Sequence, residues 1–144
     1  MKLYHSGTEM TEINSNGTYG SFLFFLPVND CSYGNTTYTL DINENLICSY
    51  TEIERALFDD DSYAKIAHII NEAAMALEID EETMGEILSG NETDIDIDDI
   101  AAMQVYQGRC AVALGFAGLT IEDEFSGSTI MIDMINRFNE LNEV

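Results

Sequence analysis

Apolar residues recur along this chain with more than one rhythm, and each change of rhythm marks a change of element. Lys2 to Ser6 is a short mixed stretch ended by Gly7 and predicts a strand. Ser21 to Leu26, SFLFFL, is a continuous apolar run held between Gly20 and Pro27. A run so short and so rich in Phe predicts a central strand buried on both faces. Thr36 to Ile42 and Leu46 to Ser49 add β-rich pieces, with Asn43-Glu44-Asn45 between them as turn material.

From residue 51 the period becomes helical. Thr51 and Glu54 stand at capping-box spacing, where the hydroxyl and the carboxylate satisfy opposite backbone donors. Beyond Asp59-Asp60-Asp61-Ser62, the residues Tyr63, Ile66, Ile70, Ala73, Ala74 and Leu77 mark the buried face of a second helix. Glu81 to Leu88, stopped by Gly90, predicts a third. Asp98 to Leu114, ended by Gly115 and weakened inside by Gly108, predicts a fourth. Alternation returns at Leu119 to Glu122 and Thr129 to Asp133, the arms of a hairpin, and a final short helix is expected from Asp133 onward. No repeat or linker divides the chain. The expectation is one α+β domain over 1–144, a mostly antiparallel sheet with a helical insert over 51–114.

Composition supports a packed core: 46% of residues are hydrophobic, and seven Tyr and seven Phe supply large anchors, which excludes a chain disordered throughout. Charge changes the picture more. Five Lys and Arg face 27 Asp and Glu, a formal net charge of -22. Such a surface repels nucleic acid and anionic membranes and favours encounter with basic partners; on charge alone, an acidic coat that keeps a small protein soluble is the simpler account. Cys31, Cys48 and Cys110 are odd in number and widely spaced, as expected of reduced thiols. The N-terminal residues lack the apolar stretch of a signal peptide, and no segment approaches the roughly 20 apolar residues of a membrane span, so a cytoplasmic protein is expected.

Several familiar chemistries lack their residues. There is no phosphate-binding loop of either glycine-rich type, and two His with scattered Cys do not make a zinc site. Asp94, Asp96 and Asp98 alternate like the start of a calcium loop, but Asp99 stands where glycine belongs and Val105 where the bidentate Glu belongs. That run reads as a solvated helix start, and His68 as a surface residue on a helix.

Three segments keep a chemical interest. His5 ends a strand beside Ser6, Gly7 and Thr8; alone, it reads as a core imidazole bonded to backbone. Gly17-Thr18-Tyr19-Gly20 brackets an aromatic with glycines that allow close backbone approach, though alone it is a tight turn. Glu122-Asp123-Glu124 gathers three carboxylates whose mutual repulsion raises a pKa when the site is partly buried; alone, it is an exposed acidic turn.

Taken in order, these segments resemble the phage anti-CRISPR ADP-ribosyltransferase family, inhibitors of the type I-F CRISPR surveillance complex. The resemblance is carried by Tyr4-His5-Ser6-Gly7, by Ile13-Asn14, by Gly17 through Phe25, by Tyr38 to Ile42, by Leu114 through Leu119, and by Glu122 through Met134. It implies an ADP-ribosyltransferase-like fold and NAD as co-substrate, without a metal. His5 would hold a ribose hydroxyl, with Ser6 and Gly7 lining the adenosine side. Tyr19, Gly20 and either Phe24 or Phe25 would wall the cationic nicotinamide ring. Asp123 would face the reacting ribose, where a fixed negative charge stabilises oxocarbenium character. Glu122 and Glu124 also match the paired-glutamate signature of arginine-modifying toxins, with Glu124 then catalytic. No Arg for the pyrophosphate is evident, and backbone N–H groups near Gly7 or Gly20 would serve.

The resemblance further implies a protein target with a basic DNA-binding surface, a subunit of the surveillance complex, and no direct contact with nucleic acid or membrane. Two alternatives stay open: a non-enzymatic acidic mimic of DNA, and an ADP-ribosylating toxin with another bacterial target.

Overall fold

The computed structural model describes residues 1–7, 18–28, 36–91, 97–123 and 127–144. Strand β1 (Lys2–Gly7) pairs antiparallel with β3 (Thr36–Asp41), with Leu3 opposite Leu40 and His5 opposite Tyr38. A second sheet has the order β2 (Phe22–Phe25), β6 (Gly127–Asp133), β5 (Gly118–Asp123), β4 (Ile47–Cys48). Its pairs are antiparallel except β4 with β5, which is parallel. Among the described residues, the sheets are joined at one point, where Tyr4 and Leu26 exchange backbone hydrogen bonds of 2.8 Å.

The alternation of β6 shows how the layers form. Ile130 and Ile132 enter a core shared with Leu3, Phe25, Leu40 and Met134, between the two sheets. Met131 enters the other core, with Phe22, Leu119, Ile121 and the helices. Side chains of a strand point alternately to opposite faces, so a strand between two cores is apolar at every position. The SFLFFL run is therefore buried on both faces as expected, with Phe22 and Phe25 in opposite cores. It is not a central strand, however: β2 is the edge of its hydrogen-bonded ladder, extended beyond that edge by the single Tyr4–Leu26 bridge.

Helices α1 (Tyr50–Leu57), α2 (Asp60–Leu77), α3 (Glu81–Leu88) and α4 (Ile100–Ala113) lie between β4 and β5 in the chain. Ile66, Ile69, Ile70, Ala73 and Ala74 form the buried face of α2. Asp59, Asp80 and Asp99 cap α2, α3 and α4, each accepting an N–H at 3.0 Å, from Ser62, Thr83 and Ala102. The capping box of α1 begins two residues earlier than the sequence predicts: the Ser49 N–H donates to Glu52 Oε2 at 2.7 Å. Ser49 is extended while Tyr50 is already helical, so Thr51 lies inside the first turn.

The expected helix after Asp133 is replaced by one 3-10 turn, Phe138–Glu140, and a two-residue strand β7 (Asn142–Glu143) that pairs with β3. Among the described residues, no helix is long and apolar enough to cross a membrane, and no cluster of His, Cys, Asp and Glu is arranged to hold a metal ion. Most of the acidic run at 93–99, and Cys31, lie outside the described residues.

Candidate functional site

The first and last thirds of the chain build one body: β2 pairs with β6, Phe22 opposite Asp133, while β7 returns to β3. On this scaffold His5 is held at the seam of the two sheets. Its Nδ1 lies 2.7 Å from the carbonyl oxygen of Phe24, and its ring tilts against Phe25 with centroids 5.7 Å apart. A carbonyl only accepts, so Nδ1 carries the proton and donates, and in the neutral ring Nε2 is left as the acceptor nitrogen. A Cβ at Gly7 would stand 3.5 Å from Nε2, an ordinary contact. Ser6 Oγ lies 3.1 Å from Thr37 Oγ1, tying the strand end to β3.

Tyr19 and Gly20 occupy the turn that leads into β2. Gly20 has φ +59, a left-handed conformation that glycine adopts without steric cost. The turn returns the Tyr19 ring onto Phe24, with centroids 4.7 Å apart and planes at 80°. Both rings are half-buried. Phe25, the other aromatic named for this wall, is completely enclosed between the sheets and presents no face to a ligand. At the start of the same strand, Ser21 Oγ donates to Asp133 Oδ1 at 2.7 Å and fixes the entry of β2 against the end of β6.

The acidic triplet stands at the far end of β5. Glu122 is exposed and pairs with Ser128, and the backbone of Asp123 pairs with Gly127. Glu124 lies outside the described residues. Strands β1, β2, β6 and β5 follow one another across the molecule, so His5 and Asp123 are three strand spacings apart, about 14 Å. Asp123 also lies three residues, about 10 Å, beyond the rung formed by Phe25, Ile130 and Thr120. The two are thus brought into one body, but neither onto neighbouring strands nor into contact.

Two residues near this end of β5 carry no signal in the sequence. Tyr50, the first residue of α1, lies near Glu122 and Gln107, and burial pushes its pKa up. Gln107 is 2% exposed, its amide nitrogen donates to the Leu88 carbonyl at 3.4 Å, and its Oε1 has no partner among the described residues. The helical insert therefore reaches the strand that carries the acidic triplet. His68 is exposed on α2, as expected.

No family model matches the sequence, and no curated protein matches it. A solved structure titled "Crystal structure of an anti-CRISPR protein" superposes with a TM-score of 0.61 at 20% sequence identity, covering 100% of this chain and 95% of that one. The chain shares the fold of an anti-CRISPR protein. The alignment covers nearly the full length of both proteins.

Proposed function

We propose that this protein is an anti-CRISPR ADP-ribosyltransferase, which moves ADP-ribose from NAD onto a protein subunit of a type I-F CRISPR surveillance complex and so blocks DNA recognition. The observation that carries the reading is the half-buried ring pair Tyr19 and Phe24 on one face of β2, together with His5, whose Nδ1 donates to the Phe24 carbonyl and whose ring meets Phe25 on the other face. An aromatic wall suits a cationic nicotinamide ring, and an acceptor nitrogen suits a ribose hydroxyl.

The chain's own residues then have separate tasks. His5 orients a ribose through its hydroxyl, with Ser6 and Gly7 lining the adenosine side. Tyr19 and Phe24 hold the nicotinamide and exclude water from it. Asp123 places a negative charge beside the other ribose; there the carbon–nitrogen bond breaks, nicotinamide leaves with the bonding pair, and the acceptor nucleophile adds to the same carbon and loses its proton. An added ADP-ribose brings bulk and two phosphate charges into a basic groove, opposing DNA by sterics and by repulsion.

The test is DNA binding by the purified surveillance complex after incubation with this protein, with and without NAD. Loss of DNA binding only with NAD supports transfer. Equal loss without NAD supports the second reading, a non-enzymatic mimic of DNA, which rests on the net charge of -22. NAD consumption with no effect on the complex would direct the same chemistry to another bacterial target.

A further inference from the structure

A groove on the helical side has the features of a protein-docking surface. Its volume is about 510 Å³, and it lies between the end of α1, the start of α2 and one face of α3. Leu57, Tyr63 and Ile70 line its apolar floor. Gly85 of α3 faces Leu57, with a Cβ there 3.4 Å from Leu57 Cδ2, an ordinary contact. Phe58 stands at the lip with 85% of its surface exposed, in the turn between α1 and α2. A large aromatic left in water beside an apolar groove marks a surface that another molecule covers.

The rim decides what that molecule is. Glu81, Glu82 and Glu86 border the groove, and none of the residues lining it is Lys or Arg. Glu82 and Glu86 are one turn apart on α3, so their charges repel each other until a cation comes between them. The cleft between α2, α4 and β2 is different: it contains His68 and Arg109 beside Asp133, and Arg109 is already paired with Glu72 at 2.6 Å. Among the described residues, the groove rim presents an acidic edge with no ion-pair partner around an apolar floor. A second copy of this chain, itself strongly acidic, is disfavoured as occupant.

We propose that this groove docks a basic amphipathic segment of the protein that is modified, with an apolar side chain seated on Leu57, Tyr63 and Ile70 and Lys or Arg side chains against Glu82 and Glu86. Naming that partner as the modified protein rests on the transferase reading; the docking chemistry does not. The mode is that of a helix laid in a groove, where the apolar anchor supplies affinity and the charged rim supplies encounter rate and orientation.

The experiment titrates the isotope-labelled full chain with a short amphipathic peptide of leucine and arginine, and with the same peptide carrying glutamate for arginine. The expected result is amide shifts at Leu57, Phe58, Gly85 and Glu86, with affinity falling as salt rises and no binding of the acidic peptide. Phe58→Ser, and separately the double variant Glu82→Lys/Glu86→Lys, should each weaken binding about tenfold. All three positions are exposed, and circular dichroism checks that the variants fold. Shifts centred elsewhere, equal affinity in the charge-reversed variant, absence of binding, or self-association abolished by Phe58→Ser would each overturn the proposal. No NAD is needed. Groove binding without transfer therefore sinks the transferase reading alone, and transfer without groove binding sinks this one alone.

Discussion

Replacing Gly118 with alanine tests whether β5 approaches β6 as closely as the structure requires. A Cβ at Gly118 would lie 2.1 Å from the carbonyl oxygen of Met131 and 2.7 Å from Ile132 Cδ1. The first contact is with backbone, which cannot rotate away, so the two strands must separate locally by roughly 1 Å to restore ordinary contact. That separation disturbs one or two ladder hydrogen bonds at about 1 kcal/mol each and adds an overpacking cost of about 1–3 kcal/mol. Alanine's lower conformational cost returns about 0.5–1 kcal/mol. The net expectation is a loss of about 3 kcal/mol, a fall in Tm of about 6–12 °C. Gly115 is the internal control: it has φ +99, but a Cβ there would meet nothing within 4 Å. Gly115→Ala should therefore cost only backbone strain, about 1–2 kcal/mol. Urea unfolding followed by circular dichroism, with unchanged m-values, measures both. If Gly118→Ala costs no more than Gly115→Ala, the close approach is wrong, and with it the position of the start of β5.

Other expectations follow from the site and its supports. Asp123→Ala should abolish transfer from a folded protein, and His5→Ala should chiefly weaken NAD binding; full activity in Asp123→Ala with loss in Glu124→Ala would move the catalytic role to the paired-glutamate position. Burial pushes the Cys48 and Cys110 thiols up to about 12, so at pH 8 on the order of one part in ten thousand is thiolate. Neither should react with a disulfide reagent until the protein unfolds, and rapid labelling of either in the native state would refute their burial. Hydrogen bonds from Ser62 and Thr83 hold the carboxyls of Asp59 and Asp80 below the usual range. Their contribution is present above the unfolded value near 3.9 and is lost as pH falls through the lower folded values. Asp59→Asn/Asp80→Asn should therefore flatten the acid side of a urea-midpoint profile, and an unchanged acid limb would count against the caps.

The elements legible in the sequence are those whose local signal and tertiary role agree. SFLFFL reads as doubly buried because Phe22 and Phe25 do enter opposite cores. The bounds of α3 match because Asp80 caps it and Gly90 follows it closely. The differences arise where distant residues decide. Asn142 and Glu143 are polar and carry no strand signal; β7 exists because β3 offers an unpaired edge. The capping box sits at Ser49 rather than Thr51 because β4 ends at Cys48, which fixes where the helix can start.

At the site, the glycine-bracketed Tyr19 is legible as an aromatic placed for close approach, but its partner is not: only the turn at Gly20 selects Phe24 over Phe25. Tyr50 and Gln107 cannot be anticipated, since each reaches the end of β5 through packing of the helical insert. The segment from Gly115 to Gly118, part of the family resemblance, takes its physical meaning from the fold. It is a left-handed turn followed by a strand contact that admits no side chain.

The most direct test of the central claim is the intact mass of each subunit of a purified type I-F surveillance complex after incubation with this protein and NAD. The transferase account predicts one subunit heavier by a single ADP-ribosyl group, only when NAD is present and not with the Asp123→Ala variant. Unmodified subunits in a complex that has nevertheless lost DNA binding would contradict it.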